Sequence, residues 1–214
     1  MVTLSIAQPS VPWFDLQLNL ILKFRLLFAK ELPIDLLYHG PDHTLHPTLG
    51  VVAIADLLAR KEKVSETIRD LAIVTAYFHD TGYIERRDKN EPIGARIAEK
   101  ILPTFGYIPR EIEVVKPGIL VTDIHDPNVQ PRNELERIIR DADVDNLGRE
   151  DFFEKSELLR KEYGITDLKK WYEGSIKFIE AHQFYTESAK KLRNAQKQKN
   201  LEELKRRYEE LRNA

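Results

Sequence analysis

His79 and Asp80 are adjacent residues at the end of an apolar segment with helical spacing. Small side chains lie one turn before this pair, at Ala72, Thr75 and Ala76. They leave space over the face that the pair occupies, as a ligand or metal site requires. A core imidazole beside a surface carboxylate would give the same local pattern, so the pair alone leaves both interpretations open.

Asp143 is the second residue that could do chemistry. An isoleucine and a leucine lie four residues before and after it, which predicts that it occupies the apolar face of a helix. An unpaired carboxylate is costly there, and a metal ion or an arginine such as Arg140 would offset that cost. The neighbouring Asp141 and Asp145 fall on another face, where we expect them to be solvated.

A third candidate, His43, lies just behind Asp42, a residue suited to capping a helix. Together with the residues above it completes a set of two imidazoles and two carboxylates on three neighbouring helices. Such a set can hold a divalent ion with positions left open for water and substrate. The predicted metal ligands are His43, His79, Asp80 and Asp143.

The composition narrows the classes of protein and of site. The 214 residues include no cysteine, so disulfides, thiolate metal sites and cysteine nucleophiles are excluded. Because 33 basic residues stand against 35 acidic ones, no nucleic-acid partner is expected. The most apolar stretch, 16–29, contains Lys23 and Arg25 and does not read as a membrane span, so we expect a cytoplasmic protein with no membrane partner.

The order His43…His79-Asp80…Asp143 resembles the H…HD…D signature of the HD-domain superfamily of metal-dependent phosphohydrolases, including small bacterial members. The flanking sequences at 38–44, 76–82 and 141–149 are also similar to those of the family. The resemblance covers about residues 38–153. It implies an all-helical fold and one divalent ion (Mn, Fe, Co, Ni, Zn or Mg) held by the four predicted ligands. Pro47 departs from the usual pattern and is expected to tilt the backbone that carries His43.

The resemblance further implies hydrolysis of a phosphoester or phosphoanhydride of a small phosphorylated substrate, such as a nucleotide. In this hypothesis Asp80 accepts a proton from water, Arg149 contacts phosphate, and His125 is a phosphate contact, a proton donor or a plain loop residue. His125 is the one histidine between Asp80 and Asp143, which favours a single ion. The alternatives are a non-catalytic HD-type protein that binds a metal and a nucleotide as a sensor or scaffold, and a helical scaffold without metal.

The apolar spacing is helical nearly everywhere, which predicts an all-α, single-domain HD-type bundle with additional C-terminal helices. We expect an N-terminal helical segment (1–30) packed on the core, a metal-binding core (31–165), and C-terminal helices (166–214) docked on the same domain, with a homodimer as an alternative use of the last helix. His182 falls in an apolar stripe and is expected to be core. The predicted helices are 16–30, 42–60, 65–82, 92–101, 109–124 (kinked or split at Pro117-Gly118), 134–147, 152–163, 168–193 and 201–211.

Overall fold

A computed structural model describes residues 31–213 of the chain. These residues form helices and no strand, so the all-α prediction is confirmed. The α-helices are α1 (Pro41–Leu45), α2 (Val51–Glu62), α3 (Glu66–Phe78), α4 (Glu91–Ile101), α5 (Pro109–Leu120), α6 (Glu134–Asp143), α7 (Phe152–Glu162), α8 (Leu168–Ala181) and α9 (Glu187–Asn213). Short 3₁₀ turns occupy Thr81–Ile84, Leu102–Phe105 and Asp145–Gly148. The predicted helix 16–30 and the segment 1–30 lie outside the described residues.

Helix α3 is the centre of the bundle. It begins where the sequence predicted, and the Ser65 hydroxyl caps it by accepting a hydrogen bond from the backbone N–H of Ile68. Every residue from Val74 to Phe78 is buried, and the helix packs against α2, α5 and α6. A helix covered on all sides needs this continuous run of apolar and small residues. Its C-terminal end carries His79 into the middle of the fold.

The predicted helix 42–60 is in fact two helices, α1 and α2. A proline disfavours helical backbone at the residue before it, and His46, which precedes Pro47, is extended with ψ of 131°. The His46 ring nitrogen Nδ1 then accepts backbone hydrogen bonds from Thr48 and Leu49 across the break. The expected tilt is therefore a complete interruption, and His43 lies on a five-residue helix of its own.

Helix α5 does not split at Pro117. It runs without interruption from Pro109 to Leu120, and ends four residues before the predicted end. Gly118 lets it approach its neighbours closely, since a Cβ there would lie 2.6 Å from a methyl carbon of Leu135 and 2.9 Å from one of Thr75. This packing holds the helix together where proline removes one backbone hydrogen bond.

The C-terminal helices also differ from the prediction. The helix expected over 168–193 ends at Ala181, and α9 extends unbroken over 27 residues, so the separate helix 201–211 is wrong. The chain turns at His182, whose ψ is 138°, and Thr186 caps the start of α9 by accepting a hydrogen bond from Ala189. Within 31–213, no helix combines the length and apolar character needed to cross a membrane.

Candidate metal centre

Three of the predicted ligands converge at one point. One ligand atom from each of His43, His79 and Asp143 lies within 4.8 Å of the other two. The two Nε2 atoms are 3.4 Å apart, and Asp143 Oδ1 is 3.1 Å from His43 Nε2 and 3.4 Å from His79 Nε2. These residues come from α1, the end of α3 and the last position of α6.

Asp80 reaches the same point. Its Oδ2 atom lies 3.0 Å from His79 Nε2 and 3.5 Å from His43 Nε2. This oxygen is fully buried and accepts no hydrogen bond of normal geometry from the described residues. A buried carboxylate oxygen without such a partner is costly unless a cation approaches it, so Asp80 fits a place beside the other three donors.

The imidazole of His79 is held in one orientation. Its Nδ1 lies 2.8 Å from the carbonyl oxygen of Ala76, and because a carbonyl only accepts, Nδ1 must carry the hydrogen. Nε2 therefore faces the centre of the cluster. This arrangement, with one ring nitrogen donating to a fixed acceptor and the other facing the ligand point, is typical of metal-binding histidines.

The surroundings of the two imidazoles shift their pKa values in opposite directions. Burial alone would lower the pKa of His79, but the charges of Asp80 and Asp143 outweigh it and raise that pKa well above its ordinary value. Burial lowers the pKa of His43. Burial opposes ionisation of Asp143 too, yet its hydrogen bonds to the two histidines hold its pKa below the usual range. Two carboxylates around two imidazoles thus favour positive charge at this point, which a divalent ion would supply.

Comparison with known proteins agrees with this geometry. Residues 44–146 match the family model described as HD domain. The chain is an HD-domain protein. No curated protein and no solved structure matches it. HD domains are commonly metal-dependent hydrolases, and the matched range includes His79, Asp80 and Asp143, with His43 directly before it.

The turn after the His-Asp pair of the HD domain depends on Gly82. The predicted helix 65–82 includes Gly82, but α3 ends at Phe78, and Gly82 lies inside the 3₁₀ turn Thr81–Ile84. A Cβ at Gly82 would lie 1.9 Å from the carbonyl oxygen of Asn90. Glycine is required here by the close approach of the two backbones, which holds the end of the loop before α4 against the turn that follows Asp80.

The predicted solvation of Asp141 and Asp145 is wrong, because both are buried. Asp141 accepts hydrogen bonds from the backbone N–H groups of Tyr185 and Thr186, at 2.9 and 2.7 Å. Asp145 bonds to Arg193 Nε at 2.6 Å. Helix α6 ends at Asp143, so helical spacing does not apply beyond it, and α9 covers the side that the pattern left to solvent.

A second contact joins the segment 145–149 to α9. The side-chain amide of Asn200 donates to the carbonyl oxygens of Leu147 and Arg149, at 3.0 and 2.8 Å. The arginine pairing considered for Asp143 is absent from the described contacts, since the Arg140 guanidinium donates to the carbonyl of Val121 instead. Helix α9, outside the HD match, therefore helps to hold the end of α6 that carries Asp143.

Sequence reasoning missed the pair formed by His39 and Glu162. His39 Nδ1 lies 2.5 Å from Glu162 Oε1, and Glu162 Oε2 accepts the backbone N–H groups of Tyr38 and His39. The His39 ring stacks on Tyr83 at a centroid distance of 4.6 Å. Burial would lower the pKa of His39, but the hydrogen bond to Glu162 and the charge of Asp80 raise it overall. Its position in the sequence beside His43 was visible, but its partner 123 residues away was not.

The other two predicted catalytic residues, Arg149 and His125, line cavities beside the four predicted metal ligands. Arg149 is nearly buried, with Nε and Nη2 each 2.8 Å from Asp151 oxygens and Nη1 donating to the carbonyl of Leu49. His125 is exposed in the loop after α5, where its backbone N–H bonds to Asp123. The structure thus places Arg149 beside the ligand cluster with internal partners, and His125 at the rim of a neighbouring cavity.

Among the described residues, Asp143 lines three cavities. One of about 420 Å³ is lined by His43 and Arg149. Another of about 700 Å³ is lined by Asp80, His39 and His125. The third, of about 350 Å³, is lined by His39 and His125 and is otherwise largely apolar. A substrate therefore has room on several sides of the candidate metal point.

Proposed function

We propose that this HD-domain protein is a metal-dependent phosphohydrolase that cleaves a phosphoester or phosphoanhydride of a small phosphorylated compound. The observation that carries the proposal is the convergence of His43, His79, Asp80 and Asp143 at one buried point beside open cavities. A purely structural metal site tends to be closed, whereas this one adjoins room for substrate.

The four donors are two imidazole nitrogens and two carboxylate oxygens, a set that suits one divalent ion of Mn, Fe, Co, Ni, Zn or Mg. When bound, such an ion supplies positive charge to phosphoryl oxygens and lowers the pKa of a nearby water. The orientation of His79 by Ala76 supports this fit, and so does the buried Oδ2 of Asp80, which accepts no hydrogen bond of normal geometry from the described residues. The chain's own residues then have to position the reactants and handle the protons.

In the proposed reaction the oxygen of water forms a bond to phosphorus while the bond from phosphorus to the leaving oxygen breaks. Asp80 accepts a proton from the attacking water. The electron pair of the broken bond stays on the leaving oxygen, which takes a proton from His39. The raised pKa of His39, and the hydrogen bond that holds its Nδ1 to Glu162, support this role as proton donor.

The sequence-based roles of His125 and Arg149 remain part of the proposal. His125, at the rim of the 700 Å³ cavity, would contact phosphate or donate a proton. Arg149 would contact phosphate by exchanging one of its hydrogen bonds to Asp151 for a phosphoryl oxygen.

The test is hydrolysis of a panel of phosphate esters and nucleotides with added Mn²⁺, Co²⁺, Ni²⁺ or Mg²⁺. We expect metal-dependent release of phosphate that is lost in Asp80→Asn and retained in Asp56→Asn, whose carboxylate is paired with Arg69 on the surface. Turnover that survives Asp80→Asn would refute the assigned role. Metal and nucleotide binding without any turnover would support the sensor alternative instead.

A further inference from the structure

The 350 Å³ cavity, here called the aromatic pocket, adjoins the candidate metal centre. Its walls are mainly aromatic and aliphatic side chains, including Val144, Leu147, Phe152, Trp171, Phe178 and Ile179. Its lining also includes polar side chains, namely Tyr38, His39, His125, Asp143, Asn146 and Tyr163. Its volume is within the range of small-molecule sites, about 300–1,000 Å³.

On the wall that α7 and α8 form, the polar groups of the aromatic pocket bond to one another. The indole N–H of Trp171 donates to the Ser156 hydroxyl oxygen at 3.0 Å, and the Ser175 hydroxyl donates to the carbonyl oxygen of Trp171 at 2.8 Å. A ligand group buried against this wall would find few partners for its own donors and acceptors. Burying polar groups without partners is unfavourable, whereas burying apolar surface is favourable.

We propose that the phosphoester hydrolysed at the metal centre carries an apolar aryl group that lies in the aromatic pocket. This inference rests on the proposed function. With phosphorus at the centre, a group in this pocket would leave past His39, the proposed proton donor, since His39 lines the pocket. A nucleobase or sugar would bring polar edges to the wall of α7 and α8, where the indole N–H of Trp171 and the hydroxyl of Ser175 already have acceptors, so this wall favours an apolar ring over a nucleotide.

The walls of this pocket come mostly from outside the HD match. The metal-binding residues lie at or within 43–146, whereas α7 and α8 supply Phe152, Trp171, Phe178 and Ile179. The pocket is thus a feature that this chain adds to the HD core.

Gly174 offers a way to fill the aromatic pocket without disturbing its fold. It lies inside α8, lines the pocket, and a Cβ there would have no atom within 4 Å. Alanine and leucine are both better helix formers than glycine, so either can replace it in the helix. Gly174→Leu places three further carbon atoms at the pocket, and Gly174→Ala is the matched control.

The kinetic test compares benzyl phosphate with ethyl phosphate, whose leaving alcohols are of similar acidity. We expect kcat/KM for benzyl phosphate to exceed that for ethyl phosphate by at least about tenfold. Gly174→Leu should remove most of this preference, by lowering kcat/KM for benzyl phosphate much more than for ethyl phosphate, and Gly174→Ala should retain it. Equal kcat/KM values for the two esters, or a loss in Gly174→Leu that is the same for both, would overturn the inference.

A binding measurement separates this inference from the proposed function. The chain has two tryptophans, so Trp13→Phe leaves Trp171 as the single fluorescent reporter. Titration with benzylphosphonic acid should change its emission saturably, and ethylphosphonic acid should not. A fluorescence change without turnover of any ester would sink the proposed function and keep the pocket assignment. Turnover with neither an ester preference nor a fluorescence change would overturn the pocket assignment and keep the proposed function.

Discussion

His39 Nδ1 and Glu162 Oε1 lie 2.5 Å apart, although 123 residues separate the two in the chain. Through this contact the end of α7, beyond the HD match, fixes a histidine at the edge of the candidate metal centre. The other Glu162 oxygen accepts the backbone N–H groups of Tyr38 and His39, so the carboxylate positions the main chain before α1 as well as the ring. Glu162 is therefore a positioning residue for the proposed proton donor.

Replacing Glu162 by glutamine should shift the pH dependence of turnover. The carboxylate raises the pKa of His39, so its removal lowers that pKa, and protonated His39 is then lost at a lower pH. We expect the alkaline limb of the kcat profile to move to lower pH, with a drop of about tenfold or more at neutral pH. Glu157→Gln, which breaks a pair with Arg160 on the same helix, is the control. An unmoved alkaline limb would contradict the role of Glu162.

Removal of metal should destabilise the protein. An ion that binds the folded state at a hundred times its dissociation constant adds about 2.7 kcal/mol to the free energy of unfolding. We expect a chelator to lower the melting temperature of wild type but to have little effect on Asp143→Asn, which lacks one predicted ligand. Thermal unfolding with elemental analysis checks this. Identical melting curves with and without chelator, on protein shown to contain metal, would count against the site.

Asp141→Ala should weaken both the fold and metal binding. It leaves the backbone N–H groups of Tyr185 and Thr186 without their acceptor, at a cost of about 1–3 kcal/mol, and loosens the end of α6 beside Asp143. Asp167→Ala, which removes the exposed cap of α8, should cost about 1 kcal/mol and leave metal affinity unchanged. Urea unfolding and calorimetric metal titration separate the two effects. Equal metal affinity in both variants would show that α9 does not position the site.

His182 should make stability fall in mild acid. Burial, with the charges of Lys197 and Arg140, lowers its pKa from 6.5 to about 3, and neither ring nitrogen has a hydrogen-bond partner among the described residues. Because the unfolded chain binds the proton more readily, unfolding becomes easier as pH falls from about 6.5 towards 3, by at most about 1.4 kcal/mol per pH unit.

The matched variant is His182→Phe, since the ring already packs against Phe178 and Phe184. The difference between the urea midpoints at pH 7.5 and pH 5 should be smaller for this variant than for wild type. A difference between the two proteins that does not change with pH would show that His182 does not titrate as its surroundings require.

Local signals in the sequence predicted the elements that depend on local chemistry. Ser65 marked the start of α3, and the order of histidines and aspartates brought out His43, His79 and Asp143, which the structure places together. Pro47 predicted a tilt within one helix and not the break that the structure has, since a proline near a helix start is compatible with either outcome. The side-chain hydrogen bonds of His46 with the next residues stabilise the interruption.

The features that the sequence did not reveal depend on contacts between distant segments. Asp141 and Asp145 alternate with Asp143 in the sequence. They are buried because α9 and the residue before it pack against them. In the sequence nothing distinguishes His39 from the other histidines, and its hydrogen bond to Glu162 is visible only in the structure. Helical periodicity describes one helix at a time and carries no information on which other helix will cover it.

The hydrogen bonds of Asn200 to the carbonyl oxygens of Leu147 and Arg149 have a bearing on how such a protein could be shortened or recombined. A fragment ending at residue 146 would keep the range that matches the HD domain. It would lose Asn200, whose hydrogen bonds hold the segment that follows Asp143. The contacts that hold the candidate centre therefore extend to a helix outside residues 44–146, and transplanting those residues alone would leave these contacts behind.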